Sequence, residues 1–91
     1  MIIDFVFYSG VKLIMTEPID EKVEVGMSDS PKWVKWQNRI HRIDKIGLHY
    51  TFREGRVLYH MFSVSTKTLA MKLRFDTETL NWRLEEVSDG I

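Results

Sequence analysis

The second half of the chain alternates. Leu58, His60, Phe62 and Val64 fall on one side of an extended segment, and Val57, Tyr59, Met61 and Ser63 on the other. Leu69, Met71, Leu73 and Phe75 then alternate with Ala70, Lys72 and Arg74. Leu80, Trp82 and Leu84 alternate with Asn81, Arg83 and Glu85. Successive side chains of a strand point to opposite faces, so this period of two predicts half-buried antiparallel strands with the first-named sets inward. Polar, turn-forming connectors at 65–68 and 76–79 separate them, and Glu54-Gly55 follows "LHYTF". The result is a predicted meander over about residues 48–87.

The N-terminal pattern is denser. "IIDFVFY" and "VKLIM" flank Ser9-Gly10 and predict a two-stranded ribbon that is apolar on both faces. Such a ribbon has to be covered by the rest of the domain or by another subunit. Phe5, Phe7, Tyr8 and Leu13 are therefore candidates for an oligomer interface. Asp4 takes the place of a basic n-region and no small-residue cleavage pattern follows, so the segment reads as structure and not as a signal peptide. "TEPIDEKVEV" then reads as a proline-bearing turn followed by a polar strand with Val23 and Val25 on one side.

Residues 28–47 fit two periods. As a helix over 31–46, Ser30 is the N-cap, Pro31 the first helical residue, and Trp33, Trp36, Ile40 and Ile43 one stripe. As a hairpin with a four-residue connection at 37–40, Trp36 faces His41 and Val34 faces Ile43. Trp33, Lys35 and Arg42 then share the opposite side. The first reading makes the domain α+β, the second all-β.

Composition narrows the function classes. Ninety-one residues make one domain. With 44% hydrophobic residues and no net charge, the chain has the means to fold without help. The absence of cysteine removes disulfides, zinc–thiolate sites and cysteine nucleophiles, and leans toward a cytoplasmic setting. No apolar run reaches the ~20 residues of a membrane-spanning helix, so no membrane partner is expected. Charge is uneven: residues 1–30 carry six acids and two bases, and residues 31–60 carry seven bases and two acids.

One resemblance favours the hairpin. "P-x-W-V-x-W-x-x-R-x-H-x-I-x-x-I-G" (31–47), "H-x-F-S-V" (60–64) and "LRFDTETLNWRLEEV" (73–87) resemble a small prokaryotic domain of unknown function. That domain stands alone in short proteins, and a related version is appended to ImuB-like accessory subunits of translesion DNA synthesis. Val34, Trp36, Arg39, His41, Ile43, Phe75, Asp76, Trp82 and Leu84 stand at the matching places, over about residues 16–88. Asn38 departs from the glycine usual in the family's first turn. The resemblance implies a small twisted sheet or barrel and no catalytic residues. The expected fold is thus an all-β, twisted antiparallel sheet or partly open barrel of six or seven strands, with 16–88 as its core.

Candidate chemistry is sparse. His41, His49 and His60 match no zinc spacing, and His41 and His60 read as core residues. A sharper version has them converge with Glu86 or Asp76. The serines lack catalytic context and the glycines are isolated, so neither enzyme nor cofactor is expected. Two function classes remain. A non-enzymatic interaction module would use the apolar ribbon and open strand edges, with a protein partner or a homo-oligomer as its counterpart. A single-stranded nucleic-acid binder would use a basic-aromatic face of Lys32, Trp33, Lys35, Arg39, Arg42, Tyr50 and Arg53.

Overall fold

A computed structural model describes residues 16–89; the ribbon read over 1–15, with its candidate interface residues, lies outside them. Seven strands form one antiparallel sheet: β1 (Thr16–Met27), β2 (Pro31–Trp36), β3 (Arg39–Arg42), β4 (Lys45–Glu54), β5 (Val57–Ser65), β6 (Ala70–Asp76) and β7 (Trp82–Ser88). Their spatial order is β3-β2-β1-β7-β6-β5-β4. The domain is all-β. No helix forms over 31–46: Pro31 opens a strand, where its missing N–H is tolerated, and β2 is paired on both sides.

The hairpin reading of that stretch holds, but its register is corrected. The turn has two residues, Gln37 and Asn38, both in the left-handed region at φ 54° and 62°. This is the primed turn that matches strand twist. Trp36 therefore faces Arg39 and Val34 faces His41. The slip is by two residues, so every side chain keeps its expected face. β1 also differs from expectation. It is a single long strand that passes through Pro18, and a bulge at Ile19-Asp20 stands where a turn was expected.

Cross-strand rows build the core. Val23, Trp82, Phe75 and His60 form one row, Leu84, Leu73 and Phe62 a second, and Val87, Met71 and Val64 a third. Val34, from the far side of the sheet, joins the same buried cluster, with Trp36 and Ile43 against it. The sheet therefore curls around one core. Ile43-Asp44 links the two outermost strands, and the Asp44 N–H donates to Ser65 O at 2.7 Å. Beyond that corner β3 and β4 do not pair, and the barrel stays open. Leu80 is an exception to the expected inward set. It sits in the β6–β7 turn at φ 62° and is 67% exposed.

Candidate interaction surface

The open barrel leaves two edges of different character. β3 is short and bounded by Arg39 and Arg42, which blunts it against pairing. Among the described residues β4, ten residues long, pairs only with β5, and it exposes Ile46, Leu48 and Tyr50 at 37%, 55% and 42%. Large apolar side chains on a long free edge are what folded proteins ordinarily avoid.

The arrangement along β4 is specific. Lys45, Leu48, Tyr50, Phe52 and Glu54 pair with Ser65, Ser63, Met61, Tyr59 and Val57, the residues of β5 that face away from the core. A bulge between Ile46 and Leu48 absorbs one residue and brings Lys45 onto that outer side. The outer side of β4 thus reads cation, Leu, Tyr, Phe, anion. Phe52 stacks on Tyr59 with centroids 5.2 Å apart, and the Arg74 guanidinium lies 5.0 Å above the Tyr59 ring. Met61 is buried there, apart from the core cluster.

The basic-aromatic set read from the sequence is divided. Trp33 and Arg42 are direct cross-strand neighbours on the outer side of β2 and β3, and Lys35 is opposite Ile40 on that side. Lys32 pairs with Asp29 at 3.1 Å, and Arg39 lies opposite Trp36. Tyr50 and Arg53 stand on β4 at the other end of the strand order, and they occupy opposite sides of that strand. Trp33 itself is half-buried, laid across Gly26 of β1.

Several cations of the convex side already have partners. Arg83 Nε donates to Asp20 Oδ1 at 2.8 Å and its terminal nitrogen to Asp20 O at 2.9 Å. Arg74 meets Glu85 at 3.0 Å and Lys72 meets Glu86 at 3.2 Å. The hydrogen bond and charge of Arg83 hold the Asp20 carboxyl below its ordinary range, and those of Lys32, helped by Ser28, do the same for Asp29. In the β6–β7 turn, Asp76 Oδ1 accepts from the backbone N–H groups of Glu78 and Thr79 at 2.8 and 3.1 Å. The N–H of Thr79 contributes most to lowering that carboxyl.

The histidines separate. His41 tilts against Trp36 at 5.8 Å, and its Nε2 is buried without a hydrogen-bond partner. His60 instead meets His49, Nε2 of His49 standing 2.8 Å from Nδ1 of His60. The convergence of His41, His60 and Glu86 or Asp76 does not occur. Asp76 is committed to its turn and Glu86 to Lys72, and no group of three metal-ligating side chains forms among the described residues. A cleft of 430 Å³ at the β3–β4 corner, lined by Ile40, Arg42, Ile43, Asp44, Thr66, Lys67 and Thr68, contains one carboxylate and no histidine.

Sequence reasoning missed Ile46, Leu48 and the His49–His60 pair. "IGLHY" carries an alternating signal, but only the strand order shows that β4 is an edge. No helix among the described residues is long and apolar enough to cross a membrane. Comparison with family models, curated proteins and solved structures gave no match.

Proposed function

We propose that this chain is a non-enzymatic assembly module, and that its counterpart is a second copy of itself docked edge to edge through β4. The carrying observation is the order of side chains on the outer side of that strand: Lys45, Leu48, Tyr50, Phe52, Glu54. A twofold axis at Tyr50 is self-complementary. It sets Tyr50 against Tyr50, Leu48 against Phe52, and Lys45 against Glu54, with the bulge before Leu48 keeping the ends in phase. Both new contacts at the ends join opposite charges, and the exposed apolar side chains lie at the centre. The backbone groups of this edge that have no partner among the described residues gain one at the same time.

Single-stranded nucleic-acid binding is the lesser reading, because its proposed residues are dispersed and Trp33 is already packed on Gly26. An accessory role in DNA metabolism and a cytoplasmic setting rest on the sequence alone.

Light scattering across a concentration series tests the assembly. A dimer is expected, lost in Tyr50→Lys, which puts two like charges face to face at the axis. Lys45→Glu should weaken it, and Lys45→Glu with Glu54→Lys should restore it. A wild type that remains monomeric at high concentration refutes the reading. Binding of labelled single-stranded DNA that falls with rising salt and with Trp33→Ala would favour the other.

A further inference from the structure

The corner where β3 gives way to β4 frames the cleft of 430 Å³, between Ile40 and Arg42 of β3, the Ile43-Asp44 link, and the β5–β6 turn at Lys67-Thr68. Alternation along β3 puts Ile40 and Arg42 side by side on its outer side. Ile40 is 55% exposed, and Ile43 is half-buried against the core. The cleft thus joins an apolar wall to charged groups. Lys32, Lys72, Arg74 and Arg83 all hold carboxylates, but Arg42 and Lys67 enter no ion pair among the described residues. With Asp44 as its one carboxylate, the lining carries a single net positive charge.

Backbone hydrogen bonds fix the frame. The Ile43 N–H donates to Lys32 O at 3.0 Å, and the Asp44 N–H to Ser65 O at 2.7 Å. The Thr66 N–H donates to Leu69 O at 2.8 Å, and the Thr66 hydroxyl accepts from the N–H groups of Thr68 and Leu69 at 3.2 and 3.0 Å. A cleft formed before its ligand arrives loses little freedom on binding.

We infer that this cleft is a binding site for a small monocarboxylate on a short branched apolar body, with isocaproate as its representative. The planar guanidinium of Arg42 takes a carboxylate through two parallel N–H···O bonds, and Lys67 adds a compact second charge. A monoanion balances the single net positive charge, whereas a phosphate dianion brings an excess that Asp44 repels. The apolar body covers Ile40 and Ile43 and withdraws Ile40 from water. The site goes beyond the assembly reading and does not depend on it, since Lys45 is outside the lining. Titration reads the one and solution mass the other.

The test is a nuclear magnetic resonance titration of the full chain with sodium isocaproate, beside isocaproamide and inorganic phosphate. Saturable millimolar binding is expected, with the largest amide shifts at Ile40, Ile43 and Thr68. The uncharged amide and phosphate should each bind about tenfold more weakly. Arg42→Gln and Lys67→Gln should each weaken isocaproate about threefold or more, and Lys72→Gln should not. Asp44→Asn should admit phosphate, a gain that damage to the fold would not produce. The shifts are read on the wild type, so they decide the matter even if a variant fails to fold. Absence of saturable shifts, shifts centred elsewhere, equal binding of acid and amide or of acid and phosphate, or undiminished binding in both cation variants would overturn the assignment. So would much tighter binding of a leucine-terminated peptide, which would give the cleft to peptide tails.

Discussion

The indole of Trp33 on β2 lies across the backbone of Gly26 on β1, its direct partner in the ladder. A Cβ added at Gly26 would collide with the indole's Nε1, Cε2 and Cδ1. The glycine is there for want of a side chain, since its backbone conformation lies outside the left-handed region. The contact places Trp33 on the outer side while Val34 and Trp36 turn inward. It also occurs where the β1–β2 register shifts between Gly26 and Met27, at the last rungs before the turn.

Gly26→Ala should therefore be destabilising even though alanine suits a strand better than glycine. The indole has to leave or the strands have to separate, as in overpacked interiors, and the expected loss is about 1–3 kcal/mol. Urea unfolding followed by tryptophan fluorescence measures it. Gly26→Ala combined with Trp33→Ala should lose less than the sum of the two single changes, because the clash disappears with the ring.

The Gln37-Asn38 turn carries strain that can be removed. Both residues adopt positive φ, which asparagine tolerates and glutamine does not favour. Gln37→Asn with Asn38→Gly supplies the residues preferred in this turn and should raise stability by about 0.5–1 kcal/mol. Asn38→Val should lower it by about 1–3 kcal/mol, because a β-branched side chain is forced into the left-handed region. Thermal melts of the three proteins give the order.

Leu80 and Leu84 look equivalent in the sequence and are opposites in the structure. Leu84 is wholly buried between Leu73 and β1, while Leu80 is exposed in a turn at φ 62°. Leu84→Ala should cost about 2–5 kcal/mol through the cavity it leaves. Leu80→Asn should be neutral or stabilising by up to about 1 kcal/mol, since asparagine accepts that conformation. Chemical denaturation of both variants separates the two positions.

Alternation was enough to find β5, β6 and β7 and most of their inward residues, because each pairs with its neighbour in sequence. It failed for Leu80 because a parity rule cannot see that the Asp76 turn runs on to Asn81. The 37–40 connection was read two residues too long because Gln37-Asn38 lacks the glycine that signals a tight turn. The closing of β1 onto β7 joins residues as far apart as Thr16 and Ser88, and nothing local announces it. The same long-range pairing makes β4 an edge. The surface proposed here, including Leu48, and the His49–His60 pair therefore became legible only with the strand order. Trp33 shows the same limit: its outward face was readable, but its cover, Gly26, depends on the β1–β2 register.

Acid should act first through Asp20 and Asp76. Both carboxyls lie below 3.8 in the fold, Asp20 through Arg83 and Asp76 through the Thr79 and Glu78 N–H groups. A carboxyl lowered by folding contributes stability that is complete above its unfolded value, near 3.8. That contribution is lost as pH falls through the lower folded value. Asp76→Asn keeps an oxygen acceptor for the turn but removes the titration. Its stability should accordingly fall less steeply than that of the wild type between about pH 5 and pH 2, after a small loss at neutral pH. Arg83→Gln should flatten the same limb by returning Asp20 toward its ordinary range, and it should also loosen the bulge at Ile19-Asp20 that Arg83 holds. Urea midpoints for the three proteins across that range check the sign. An acid limb equally steep in all three would mean that neither carboxyl is linked to folding.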